Sequence, residues 1–405
     1  MKPRLFSLNI RTQVALVAAM VMALQGCSWL SEPEKEEPLA FPKAPGVVYL
    51  ASFSSQYDFD PPSKFMQFVV GRDLHSDTKM ITRPYGLAVG KGKVFINDGR
   101  GNSGYWVLDL EKQNLRLVQH PILENSMGIA IDQDGNKYIA VPRLAEAQAK
   151  GTFGTDKEEG GLVVFDQNDQ LIKTHIFLGR PIDVEIHRDN LYVTDLINNR
   201  VVVFDRFAFT QKLAWGKAGG KGNEFRSPKN VAVSPDGRIY VSDTFNGRIK
   251  VFEQNGAFVS QYGYRASMLG GFLSLGGVDV DQKGRVYAVD SLASGKSIFD
   301  EIQVLDSTRF YSVNEKMPEL DSDASEKKVA LFGYFEKPYG RGNPNDPGQI
   351  SPRYRAVDVA IDYENGKFFQ DRLKEGDKIE YLIWLTSNEA WSGRNLSVFA
   401  YLAEK

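Results

Sequence analysis

The amino-acid sequence predicts an all-β fold, a six-bladed propeller of four-stranded blades in which the N-terminal strand completes the last blade. Three observations carry that expectation: six copies of a strand-and-turn repeat, tight-turn dipeptides at matching places in each copy, and a first strand outside any copy. The clearest copy is SPKNVAVSPDGRIYVSDTFNGRIKVFEQNGAFVSQYG, residues 227–263. It holds four short β-rich runs punctuated by Pro235-Asp236-Gly237, Asn246-Gly247 and Asn255-Gly256, dipeptides suited to hairpin turns. Residues 180–216 form a second copy, and others begin at 83, 125, 275 and 352. With Ala88, Ala130, Glu185, Ala232, Asp279 and Ala360 as equivalent points, the spacings are 42, 55, 47, 47 and 81 residues. Insertions at 143–159 and 307–328 account for the two long gaps. Small sheets of this size bury both faces by stacking on their neighbours, which favours a propeller over a sandwich. The last copy supplies three strands, near 356–361, 380–386 and 395–402, and lacks a fourth. The run from Val47 to Phe53 (VVYLASF) is expected to fill that place and close the ring.

The repeats resemble the NHL family of six-bladed propellers across residues 47–402. The motifs that carry the resemblance are Val231-Ala232-Val233, the strand end Tyr240-Val241-Ser242-Asp243, Asn246-Gly247-Arg248 before Val251-Phe252, and the link from Gly220 to Pro228. The chain is also similar to lipidated NHL propellers of metal-respiring bacteria, often encoded beside multihaem cytochromes. That likeness implies a scaffold or partner role rather than a reaction.

The N-terminus reads as an export signal. Lys2, Arg4 and Arg11 precede an apolar run from Val14 to Leu24, with no acidic residue before Leu24-Gln25-Gly26-Cys27. The run is shorter than the ~20 residues a membrane-spanning helix needs. The segment resembles the lipobox of bacterial lipoproteins. On that resemblance residues 1–26 are a signal peptide and Cys27, the sole cysteine, carries the lipid, while Ser28 favours the outer membrane. Residues 27–46, with four prolines and a charged cluster, form a tether, and 47–402 form the propeller. With one cysteine there is no intramolecular disulfide, no cysteine zinc site and no c-type haem attachment. The formal charge is −2, and about −5 once the three leader cations are gone, which argues against nucleic acid as a partner.

No motif assigns a reaction. His75, His120, His175 and His187 fall in no short ligand spacing, so neither a zinc hydrolase nor an NHL-type amidating lyase is expected. Asp98, Asp195, Asp243 and Asp290 recur at the ends of second strands, where a carboxylate suits turn capping. The first residues of the inner strands should ring the central channel. Asp183, Asn230 and Asp358 stand there with Arg355 close by, a set of hard oxygen donors for a cation such as calcium or for a polar ligand. Calcium-dependent lactonases on six-bladed propellers use a comparable central set. Glu185 and Asp279 replace alanine on inner strands, as a ligand role or as a local shift of register. No cofactor is required by the sequence, and calcium in the channel is the one candidate.

The face bearing the inter-blade links also carries 143–159, 293–300 and 336–351, whereas 307–328 leaves from the other face. The expectation is therefore a lipid-anchored, outer-membrane propeller, monomeric within a larger complex. It would bind a protein or polysaccharide partner on that loop face, in an assembly with cytochromes, and catalyse nothing. The alternative is a calcium-dependent hydrolase or lyase with its site in the central channel.

Overall fold

The structure, a computed structural model, describes residues 47–59, 79–144, 159–266, 271–290, 302–306, 331–334, 356–387 and 395–403. The signal peptide, Cys27 and the tether lie outside the described residues, as do His75, Arg355, most of 143–159 and the insertions at 293–300, 307–328 and 336–351. The chain divides into two compact units, Met1–Phe41 and Pro42–Lys405, and every described residue falls in the second.

That unit is built wholly from antiparallel four-stranded sheets. One blade is β2 (Leu87–Gly90), β3 (Lys93–Asn97), β4 (Gly104–Asp109) and β5 (Asn114–Gln119). The next is β6 (Ile129–Ile131), β7 (Lys137–Val141), β8 (Glu159–Phe165) and β9 (Leu171–Leu178). A third is β10 (Pro181–His187), β11 (Asn190–Asp195), β12 (Arg200–Asp205) and β13 (Gln211–Trp215). Then come β14 (Pro228–Val233), β15 (Ile239–Asp243), β16 (Arg248–Phe252) and β17 (Phe258–Tyr262). The fifth is β18 (Leu275–Val280), β19 (Arg285–Asp290), β20 (Ile302–Asp306) and β21 (Leu331–Tyr334). The remaining sheet joins β22 (Ala356–Asp362), β23 (Ile379–Ser387) and β24 (Leu396–Leu402) to β1 (Val47–Phe53), which pairs antiparallel with β24.

The expectation of six such blades, the last completed by the N-terminal strand, is therefore corrected. Five clearly defined blades are each cut from consecutive strands, and the sheet between the fifth and the first is a composite of both chain regions. The cause is covalent: a ring threaded by one open chain has a seam where its two ends meet. The first strands of successive sheets touch around the ring, β2 to β6 and on to β22, and β22 returns to β2. Packed side chains fill the spaces between neighbouring sheets, as where Trp106, Leu108, Trp384 and Val398 meet in one cluster.

Two local devices position the candidate site. Inner strands β10, β14, β18 and β22 each carry an irregularity near their start, between Pro181 and Val184 in β10 and between Pro228 and Val231 in β14. A bulge leaves one N–H out of the ladder. Hydroxyls of the second strand take those groups: Asp183 N donates to Thr194 Oγ1 at 3.0 Å and Asn230 N to Ser242 Oγ at 2.9 Å. The freed side chains of Asp183 and Asn230 enter the channel wall.

The second device is a latch. Asp98 accepts from Thr82 N and Arg83 N, Asp195 from Arg180 N, Asp243 from Arg226 N, and Asp290 from Leu273 N and Ser274 N. The following turn contributes asparagine side chains, Asn102, Asn198 and Asn246, to the first three. Turn capping alone is thus corrected: the backbone partners come from the link before the inner strand, so each aspartate ties a blade to its own entry. Arg200 pairs with Asp195 at 2.9 Å, and Lys250 with Asp243 at 3.1 Å in full burial.

Candidate active site at the channel mouth

The residues that begin the inner strands line two stacked spaces. The lower one is the channel itself, a cavity of about 230 Å³ walled by all six inner strands. Asp183, Asn230 and Asp358 stand on it together, with Glu185 and Asp279 one step further along their strands.

The channel edge of an inner strand has no neighbouring strand to pair with, and its N–H groups need acceptors. The polar channel residues supply them. Asp183 Oδ2 accepts from Val231 N at 2.9 Å, and Asn230 Oδ1 from Val278 N at 2.8 Å. Asp279 Oδ2 accepts from Ile361 N at 2.7 Å, and Asp358 Oδ2 from Leu87 N at 2.9 Å. Each bond runs from one sheet to the next. Asp279 is thus a staple on the regular inner-strand position, paired Asp279 to Tyr287 within its blade, so a shift of register does not explain it. Glu185 pairs with Tyr192 at the equivalent place. Where a neighbour has glycine the carboxylate lies flat against it. A Cβ on Gly128 would collide with Asp183 Oδ1, and one on Gly277 with Asp358 Oδ1.

The donor set proposed for calcium does not fit an ion. Asn230 spends its oxygen on Val278 N and turns Nδ2 to Asp358 Oδ1 at 3.3 Å, so it offers a donor where a ligand oxygen is needed. Calcium takes six to eight oxygens, and among the described residues no group of three or more His, Cys, Asp or Glu side chains could hold a metal. The histidines stand elsewhere: His120 accepts from Ile122 N, and His175 packs between Phe204 and Phe209.

Burial raises the channel acids above the ordinary carboxylate range. Burial pushes the Asp183 carboxyl up to about 7, against the pull of N–H bonds from Val231 and Val184. Burial likewise carries Asp279 to about 6. Asp358 and Glu185 are raised well above the carboxylate range by burial and then by neighbouring acids, Asp183 for the former and Asp279 for the latter.

The upper space opens directly above. Its lining includes Tyr85, Met127, Ile182 and Lys229, which precede the channel residues on four inner strands or their entries. The cavity is about 550 Å³, the size of a small-molecule site. Arg100, Arg143, Arg180 and Lys229 all line it, and Glu124 is its one carboxylate among the described residues. Sequence reasoning placed Arg143 only in a loop and overlooked the other three, because each belongs to a different blade and none forms a motif. Tyr85 links the two levels: burial, then the charges of Asp183 and Asp358, keep its hydroxyl protonated well beyond the usual phenol range.

Comparison with known proteins bears on two expectations. The NHL repeat family matches residues 225–252 alone. Solved structures with a similar fold include virginiamycin B lyase from Staphylococcus aureus, 11% identical over 79% of this chain and 95% of that one, with a TM-score of 0.46. A gluconolactonase from Xanthomonas campestris is 15% identical over 80% and 86%, with a TM-score of 0.47. Regucalcin from Agrobacterium tumefaciens, a calcium-binding protein, is 11% identical over 80% and 90%, with a TM-score of 0.46. The NHL resemblance drawn over 47–402 is accordingly corrected to one matched repeat, residues 225–252. A purely binding, non-catalytic scaffold is corrected as well. The scaffold role leaned on loops outside the described residues, whereas the described mouth has the dimensions of a small-molecule site.

Proposed function

We propose that the protein is an enzyme, a hydrolase or lyase, that acts on a small molecule held at the mouth of the central channel. The observation that carries this proposal is vertical: a 550 Å³ cavity rimmed by four cations sits on a floor of buried acids, one of them poised near neutrality. A carboxyl close to pH 7 can both give and take a proton, which general acid–base chemistry requires. Arg and Lys side chains above it offset the negative charge that builds on oxygen when an ester or lactone is opened, or when a proton is drawn from beside a carboxylate. Tyr85, held protonated, supplies a donor between the two levels. Calcium has no step in this scheme.

The test is a turnover screen of full-length protein on lactones, simple esters and uronide glycosides, with Asp183→Asn and Tyr85→Phe beside it. Turnover of one class, lost at least tenfold in Asp183→Asn and unaffected by EDTA, is the expected result. Failure on every class, or activity that EDTA abolishes and calcium restores, would overturn the scheme. Envelope placement is proposed separately, on the leader and Cys27. Intact mass should show a diacylglyceryl, N-acylated Cys27 as the mature N-terminus, and any other start would overturn it.

A further inference from the structure

The mouth divides into two chemistries, and that division names a ligand. Lys229 and Arg100 line the cavity, yet neither has a hydrogen-bond or ion-pair partner among the described residues; Lys229 meets only the ring of Phe245, at 5.9 Å. Elsewhere in the fold, enclosed cations are paired: Lys250 with Asp243, Arg285 with Asp281, Arg206 with Asp132, Lys137 with Asp169. A half-buried lysine left unpaired beside an arginine is costly unless an anion visits. Consistent with that cost, burial and then the charge of Arg100 hold the Lys229 ammonium below its ordinary range.

The opposite end of the site is built of acceptors. Beneath Tyr85, Asp183 accepts from Val231 N, and Asp358 from Leu87 N, Val359 N and the Asn230 amide. Their remaining lone pairs and the protons they hold suit hydroxyl groups and offer no counter-charge to a carboxylate. Between the two ends the wall is apolar, formed by Ile122, Met127, Ile182 and Leu196, and suits the C–H face of a ring.

Resting on the enzymatic role proposed above, we infer that the site takes a hydroxylated carboxylate, an acidic sugar. Its carboxylate meets Lys229 and Arg100 while its hydroxyls point to Tyr85 and the acids of the channel. Arg143 and Arg180 add positive potential at the same wall. The placement of the cations also sets orientation, since a ligand turned end for end would take its carboxylate away from Lys229 and Arg100.

Calorimetric titration of full-length protein in detergent tests this with four probes: D-galacturonate, its methyl ester, D-galactose and acetate. Galacturonate should bind at least tenfold more tightly than each of the other three. Lys229→Gln and Arg100→Gln should each weaken it about tenfold, a loss of about 1.4 kcal/mol, and Lys229→Arg should restore most of it. Melting curves of each variant establish that it is folded. Equal binding of acid and methyl ester, or unchanged affinity in both glutamine variants, overturns the carboxylate assignment. Acetate binding as tightly as galacturonate overturns the hydroxyl half, and no binding by any probe overturns both. Binding of galacturonate with no turnover of any uronide, lactone or ester would instead overturn the enzymatic role and leave the ligand class standing.

Discussion

Two sets of buried aspartates occupy this fold, and their surroundings differ more than their burial does. Asp98, Asp195 and Asp243 are fully enclosed at the ends of second strands, and each accepts several N–H bonds. Two of them also face a cation, Arg200 or Lys250. Asp183 and Asp358 are enclosed nearly as well, yet among the described residues they meet backbone donors, an amide and each other, and no cation is paired with either. Donors and a counter-charge oppose the penalty of burial and give such a carboxylate a structural role, although burial still raises Asp243 above its ordinary range. Enclosure with too few donors leaves a group that holds its proton into the neutral range and remains available for chemistry. The residue type decides nothing here.

The contrast can be broken at several points. The largest effect belongs to the latch. Asp243→Ala would strand Lys250 in full burial, and loss of one partner of a buried pair costs about 3–5 kcal/mol. Urea denaturation reads this, and a loss under 1 kcal/mol would show that the latch holds little.

Next comes the close packing of the channel staples. Gly128→Ala would drive a methyl into Asp183 and its backbone, at a cost of about 1–3 kcal/mol from overpacking. Gly277→Ala should behave alike against Asp358. Tolerance of both, measured the same way, would mean that the carboxylates can swing aside.

A third prediction concerns pH. Because the folded Asp183 carboxyl is raised from 3.8 to about 7, its favourable contribution is complete below about pH 4 and disappears as pH climbs through 7. Asp183→Asn keeps an oxygen for Val231 N and has no proton to lose. The variant should match the wild type near pH 4 and exceed it at pH 8 by on the order of 1–2 kcal/mol. Melting across that range checks the sign, and a variant less stable at pH 8 would contradict it.

The smallest effect separates two hydroxyls at equivalent places. Thr194 Oγ1 accepts from Asp183 N and donates to the Lys229 carbonyl, whereas Thr386 Oγ1 is buried with no partner among the described residues. Thr194→Val should cost about 1–2 kcal/mol, and Thr386→Val should be neutral within about 0.5 kcal/mol.

Much of the scaffold was legible because it is local. Asn-Gly and Asp-Gly turns and alternating runs mark individual strands, and Gly237 and Gly247 take the positive φ that such turns demand. Asp183, Asn230 and Asp358 could be placed on the channel from their equivalent positions in three repeats. Their work as sheet-to-sheet staples could not, because the N–H groups they serve lie 48 residues away for Asp183 and 271 for Asp358. The cationic rim was hidden for the same reason. Arg100 sits in a helical turn after β3, Arg180 and Lys229 at entries to β10 and β14, and only closure of the ring brings them together.

The central claim, that the channel carboxyl of Asp183 exchanges its proton near neutrality while Asp243, raised by burial but facing Lys250, does not, can be observed directly. Carbon-13 NMR titration of aspartate-labelled protein from pH 4 to 9 would follow every carboxyl, with Asp183→Asn and Asp243→Asn assigning two of the signals. The account predicts a resonance that titrates near pH 7 and vanishes in Asp183→Asn, and none of that kind lost in Asp243→Asn. A spectrum in which no carboxyl titrates above about pH 5, or in which the neutral-range signal belongs to Asp243, would contradict it.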